Sequence, residues 1–257
     1  MDEARSPNFV RRVNPFRNVV AKHPLQQAEF ALSIANDAQL PPPGPPEIAF
    51  AGRSNAGKST AINVLANRTR LAFASKTPGR TQHINFFRLR SGALLADLPG
   101  YGYAAVPLRL KKHWQGFLGR YVATRQSLIG LVLIVDARHG LAELDVELLS
   151  SYLGSGRPVL LLATKMDKLA TSQQRDAEQD IVRALEEAFP MQTAQIAVVP
   201  FSATTRLGLE AAESVLDAWL GAQEGEDIRA KPLRAKGKEK APRTRGVPRG
   251  PKRPSRG

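Results

Sequence analysis

The chain contains no cysteine, which rules out a disulfide framework and any cysteine-ligated zinc site. Its four histidines, His23, His83, His113 and His139, are too widely spaced for a local pair of metal ligands, so a metal here must be held by oxygen. No apolar run approaches the roughly 20 residues that cross a bilayer; the longest, residues 128–137, contains Gly130 and Asp136. The beginning, "MDEARSPNFVRRVNPF", carries Asp2 and Glu3 and no apolar segment, which disfavours a secretory signal; Arg11, Arg12 and Arg17 keep an organellar transit peptide as the alternative. Large apolar residues become scarce after Leu220, and aromatic ones are absent from 229–257. That tail cannot bury a core and is expected to be disordered in isolation.

What is present supports a globular body. The 257 residues are 42% hydrophobic, enough for one good-sized core. The net charge of +14 is unevenly spread: residues 229–257 hold 12 Lys and Arg against Glu239 alone, leaving a net of +3 for everything before them. "PPPGPPE", residues 41–47, reads as a rigid extended spacer. It follows a polar arm in which an amphipathic helix is expected near residues 25–35. The expected organisation is a flexible arm (1–23), a folded domain (24–221, with the spacer at 41–46 before its first strand) and a basic tail (222–257).

Within the folded part, apolar and β-branched runs at 48–51, 83–89, 93–98, 128–135, 159–163 and 196–200 predict six strands. Helical periodicity predicts helices at 58–66, 108–125, 143–152, 172–188 and 209–220. Strands separated by helices imply parallel βαβ units. "RSGA", between the second and third strands, is too short for a crossover, so that pair should be an antiparallel hairpin. The expected fold is α/β: a mostly parallel six-stranded sheet with one antiparallel edge strand and helices on both faces. Ligands of such a sheet sit at the carboxyl ends of its strands.

The first of those ends carries "GRSNAGKS", comprising Gly52, Arg53, Ser54, Asn55, Ala56, Gly57, Lys58 and Ser59, a match to G-x-x-x-x-G-K-[ST] between a predicted strand and a predicted helix. Such a loop aims backbone N–H groups at phosphate oxygens, and the helix N-terminus adds a favourable dipole. Lys58 would reach the β- and γ-phosphates and Ser59 would bind Mg²⁺. A chance match in a chain this long has a probability on the order of one in a hundred. "DLPG", formed by Asp97, Leu98, Pro99 and Gly100, ends the third strand; its carboxylate can hold Mg²⁺ through a water and its Gly100 N–H can bond a γ-phosphate. Between the two, Pro78 and Gly79 mark a turn, and Thr81 can complete the metal shell only when a γ-phosphate is present. Taken alone, the same segment reads better as a plain hairpin approach with turn residues.

A phosphate cradle does not distinguish ATP from GTP. "TKMD", formed by Thr164, Lys165, Met166 and Asp167, does so at the end of a buried strand. Asp167 can accept from both N1–H and the exocyclic amine of guanine, whereas adenine would leave the carboxylate facing an unprotonated N1, at a cost of about 2–5 kcal/mol. Phe201, Ser202 and Ala203 in "PFSATT" end the last predicted strand and can brace Asp167 and contact the O6 side of guanine.

Together "GRSNAGKST", "TPGRTQHINFF", "DLPGYGYA", "TKMD" and "PFSATT" resemble the bacterial EngB (YihA/YsxC) family of Ras-like, translation-factor-related GTPases. "DLPGYGYA" and "PGRTQ" are the specific elements, and the resemblance runs from about Pro24 to Leu220. It implies a monomeric, cytoplasmic, Mg²⁺-dependent GTPase that assists large ribosomal subunit assembly and is needed for cell division and septation. It places nucleotide contacts on the cradle, on Gly79, Arg80, Thr81, Gln82 and His83, and on the Asp97, Thr164 and Phe201 segments just named. Metal ligation falls on Ser59 and Thr81, and hydrolysis on Lys58, Thr81 and Gly100.

Tyr101 occupies the position at which many GTPases carry a glutamine that orients the attacking water. If the phenol turns away, intrinsic turnover should be slow. Asn55 matches the asparagine that helps related GTPases bind an activating K⁺. The tail can contact rRNA through phosphate alone, having no aromatic residue for stacking; a solubilising tail without a partner is the alternative. Two further readings remain open at this stage: a division or scaffold protein with only an indirect ribosome link, and a small-molecule phosphotransferase on the same scaffold.

Overall fold

The computed structural model describes residues 11–12, 25–72, 83–102 and 108–224, with side chains described except at 11–12, 108–115 and 223–224. Gly79, Arg80, Thr81 and Gln82 and the basic tail lie outside the described residues.

One sheet organises the fold. Its strands in chain order are β1 (Arg11–Arg12), β2 (Glu29–Ile34), β3 (Glu47–Gly52), β4 (Ile84–Arg88), β5 (Leu94–Asp97), β6 (Leu128–Asp136), β7 (Val159–Thr164) and β8 (Ile196–Pro200). Their spatial order is β1-β8-β7-β6-β3-β5-β4-β2. The five strands from β8 to β5 pair in parallel, and β4 runs against β5 as the short connection requires. The helices are α1 (Lys58–Leu65), α2 (Leu108–Thr124), α3 (Glu143–Leu153), α4 (Thr171–Ala188) and α5 (Leu209–Glu224). Ile62 and Leu65 of α1 share one apolar layer with Ala212 and Leu216 of α5. Phe117 and Tyr121 of α2, Leu149 of α3 and Ile181 and Leu185 of α4 share the layer on the opposite face. The α/β class therefore holds.

Two details of the sequence expectation are corrected. Residues 29–34 form a strand, not part of a helix, and β2 pairs antiparallel with β4 from Glu29↔Arg88 to Ile34↔Ile84. The reversed strand is thus not an edge: β2 covers it, and with β1 the sheet has eight strands, not six. The cause is tertiary. Gln27 turns the chain with a φ of 59°, the ladder of β4 supplies backbone partners, and Phe30 packs edge-on against Phe87 at 6.1 Å.

The proline spacer is fastened to the body at the end of the sheet away from the carboxyl termini of the parallel strands. Arg125 forms a bidentate pair with the fully buried Glu47, Tyr121 donates to the same carboxylate at 2.8 Å, and Arg125 Nη1 also donates to the Pro41 carbonyl at 2.7 Å. Gly44 N–H donates to Ser127 Oγ at 3.0 Å. A buried carboxylate without these donors would be costly, so the network fixes where β3 starts.

Candidate functional site

At the carboxyl end of β3 the chain passes directly under β6. A Cβ on Gly52 would sit 2.6 Å from the Ile134 carbonyl, so the strand can end here only with glycine. Ala56 N–H donates to the Arg53 carbonyl at 3.1 Å, Asn55 and Gly57 take positive φ, and α1 begins at Lys58. The free N–H groups of the first helical turn therefore open into the loop, the arrangement that binds phosphate. Lys58 Nζ is paired with Asp97 Oδ1 at the end of β5, with both side chains nearly buried. Ser59, in the same turn, is half-buried.

Leu98 N–H donates to the Phe50 carbonyl at 2.9 Å, carrying the chain from β5 toward the cradle. Ser54 N–H then donates to the Tyr101 carbonyl at 2.8 Å, and Tyr101 N–H donates to the Gly52 carbonyl at 3.4 Å. A Cβ on Gly100 would meet Ser54 Oγ, Cα and N at 3.1–3.3 Å. The Asp97-to-Gly100 turn thus lies against the cradle, as the motif order requires, and Gly100 is exposed. The Tyr101 hydroxyl points elsewhere: it donates to Asp145 Oδ1 at 2.6 Å. Asp145 is 1% exposed, and its Oδ2 accepts from Ala142 N–H at 3.0 Å at the start of α3. Burial and the neighbouring carboxylate push the Tyr101 phenol well above its usual range. Burial likewise raises Asp145, against the hydrogen bonds from Tyr101 and Ala142.

The third component comes from β7 and β8. Thr164 Oγ1 lies 2.6 Å from the Ala56 carbonyl and 3.1 Å from that of Val135, locking the end of β7 to the cradle. Lys165, at a φ of 62°, extends back across the loop; its Nζ donates to the Asn55 carbonyl at 2.5 Å and pairs with Asp136 Oδ2 at 2.9 Å. Burial disfavours the Asp136 charge, but hydrogen bonds from Arg138 and Lys165 outweigh it and hold the carboxyl below its usual range. Met166 is buried, and its N–H donates to the Phe201 carbonyl at 3.3 Å. Asp167 Oδ1 accepts from Ser202 Oγ at 2.7 Å, and this bond, with help from Lys168, lowers the Asp167 carboxyl. Ser202 is fully buried and also accepts from Thr205 N–H, while Ala203 beside it is half-buried. Its hydroxyl, not its backbone, therefore braces Asp167.

Four of the five sequence segments assigned to a ligand, those at Gly52, Asp97, Thr164 and Phe201, converge at this one end of the sheet; of the fifth only His83 is described, and it is exposed just before β4. The arrangement offers an anion cradle with one lysine, two oxygen donors in Ser59 and Asp97, and an ionised, braced carboxylate. A hydroxyl and one carboxylate, completed by phosphate oxygens and water, match what Mg²⁺ takes. Among the described residues no group of three or more His, Cys, Asp or Glu could hold a metal unaided, and no helix is long and apolar enough to cross a membrane. Sequence reasoning missed Asp145, Asp136 and Arg138. Only Asp145 left a signal, an acid in the first turn of a predicted helix.

Comparison with known proteins gives a consistent result. The family described as "50S ribosome-binding GTPase" matches residues 47–165. The chain is 50% identical over 203 residues to a "Probable GTP-binding protein EngB" of Azoarcus sp. (strain BH72), covering 78% of this chain and 96% of the relative. It is 48% identical over 197 residues to a protein of the same description from Neisseria meningitidis serogroup B (strain ATCC BAA-335 / MC58), covering 77% and 93%. A crystal structure of "a probable GTP-binding protein engB" superposes with a TM-score of 0.53 at 21% identity, covering 68% of this chain and 99% of that one. At that identity the superposition speaks for the fold.

Proposed function

The chain belongs to the EngB family of GTP-binding proteins, and from that premise we propose that it is a Mg²⁺-dependent GTPase switch, monomeric and cytoplasmic, that assists assembly of the large ribosomal subunit and through it supports cell division. The observation that carries the nucleotide half is Asp167. Its ionised carboxylate, braced by Ser202 and set at the end of β7, is the group that reads two adjacent donors of guanine. Lys165, bonded across the cradle to the Asn55 carbonyl, would lay its stem along the base.

In this reading the cradle N–H groups and Lys58 hold the β- and γ-phosphates. Ser59, Asp97 and Thr81 would hold the Mg²⁺ ion, which when bound neutralises charge between those phosphates. Asp97 and Lys58 contact each other, which sets both at the mouth of the cradle. The Gly100 N–H would sense the γ-phosphate. The Tyr101 hydroxyl, donating to Asp145, has no proton left to give an attacking water, which supports slow intrinsic hydrolysis. Asn55 is the residue through which K⁺ would restore rate.

The ribosomal half is supported by charge. Besides the 12 basic residues of 229–257, residues 48–135 contain 13 Lys and Arg and a single acid, Asp97. A polyanion such as rRNA suits both. Co-sedimentation of the full chain with large-subunit precursors, in a non-hydrolysable GTP analogue and in GDP, tests the reading. Stronger association in the analogue is expected, and equal association in both states would overturn the switch.

A further inference from the structure

The bond between Tyr101 and Asp145 joins two elements that the nucleotide chemistry does not otherwise link. Tyr101 is held at three points: its carbonyl accepts from Ser54, its N–H donates to Gly52, and its hydroxyl donates to Asp145 in the first turn of α3. The first two attach it to the phosphate cradle, and the third attaches it to a helix that lies beyond the cradle. Asp145 is itself fixed, since its second oxygen accepts from Ala142 N–H and its side chain is inaccessible. Gly100, immediately before Tyr101, approaches Ser54 so closely that even a methyl group would meet three of its atoms. The position of the Gly100 N–H is therefore set by what holds Tyr101.

We propose that Tyr101 is a positioning residue: its hydroxyl, anchored on the buried Asp145 carboxylate, fixes the Gly100 turn where its N–H meets a γ-phosphate, and so sets the preference for guanosine triphosphate over diphosphate. Guanosine diphosphate would be held by the cradle and by Asp167, whereas the Tyr101 hydroxyl bonds to Asp145. A phenol is suited to this task where the glutamine of other GTPases is not, because its rigid ring spans from the loop to α3 with two rotatable bonds. The pair also gives the nucleotide state a route to α3 and to α2, which packs against it.

This inference rests on the GTP-switch reading. The test is equilibrium binding of a fluorescent non-hydrolysable GTP analogue and of fluorescent GDP, with Mg²⁺, to the full chain. Wild type is compared with Tyr101→Phe and with Tyr101→Phe/Asp145→Asn. The double variant removes the buried charge as well as its donor while keeping an acceptor for Ala142, so it guards against a Tyr101→Phe chain that fails to fold. In both variants analogue affinity should fall about tenfold while GDP affinity stays within about twofold. A parallel loss for both nucleotides, or an unchanged ratio, would overturn the latch while leaving the functional reading intact. No guanine-nucleotide binding by wild type would overturn both.

Discussion

The sheet divides laterally into two halves of opposite charge. Residues 48–135, which supply β4, β5, α1, α2 and nearly all of β3 and β6, hold 13 Lys and Arg against one acid, whereas residues 136–224, which supply β7, β8 and the remaining helices, hold 14 acids against seven basic residues. The site straddles the boundary. In the proposed reading, phosphate would be met by the cradle and Lys58 on the basic side, where Asp97 is the one acid within residues 48–135. The base would be met on the acidic side, where Asp167 and Asp136 are paired with Lys168, Lys165 and Arg138. One ligand with an anionic end and a donor-bearing end would thereby divide the chemistry of the domain, and a polyanionic partner would be drawn to one half and turned away by the other.

The largest test of that division concerns Arg125, the one buried arginine of the basic half among the described residues. Arg125→Met leaves Glu47 charged, fully buried and without its principal donor, and should cost about 3–5 kcal/mol in urea unfolding. A loss below about 1 kcal/mol would show that the carboxylate is protonated or rehydrated. Next, Lys58→Met should lower affinity for a non-hydrolysable GTP analogue about 100-fold, a cost of the size expected when a buried charge loses its partner. Isothermal titration reads it directly. Deleting 229–257 should then reduce the slope of log affinity for structured RNA against log salt by several, with a residual slope from the basic half. A slope of zero after deletion would assign all RNA attraction to the tail.

The smallest effect belongs to the acidic half. Asp167 is held below the usual carboxylate range, with the Ser202 hydroxyl the largest cause. A carboxylate with a depressed folded pKa contributes above its unfolded value and is lost as pH falls through the folded one. Ser202→Ala should therefore move the acid limb of GTP binding to higher pH without changing affinity at pH 7.5 by more than about threefold. An acid limb that does not move would show that another donor holds Asp167 ionised.

Much of this was legible in the sequence because it rests on local pattern. The order of strands and helices follows from periodicity, and the segments at Gly52, Asp97, Thr164 and Phe201 converge because each ends a strand of one parallel sheet. The burial of Phe117, Leu118 and Tyr121 follows from their spacing on α2. What was not legible depends on distant partners. The strand at 29–34 exists because β4 offers an unpaired ladder, and its i, i+4 apolar spacing imitates a helix. The commitment of Tyr101 depends on Asp145, 44 residues away. The near-neutral charge of the body before residue 229 concealed two halves of opposite sign, because a sum carries no geometry.

The central claim, that the acidic half reads guanine, is tested most directly by competition of GTP, GDP and ATP for the wild-type chain and for Asp167→Asn. Wild type should bind GTP and GDP and exclude ATP, and the variant should exchange guanine for xanthine nucleotides, because its amide presents a donor to the carbonyl that replaces the guanine amine. ATP competing as well as GTP against wild type would contradict the account.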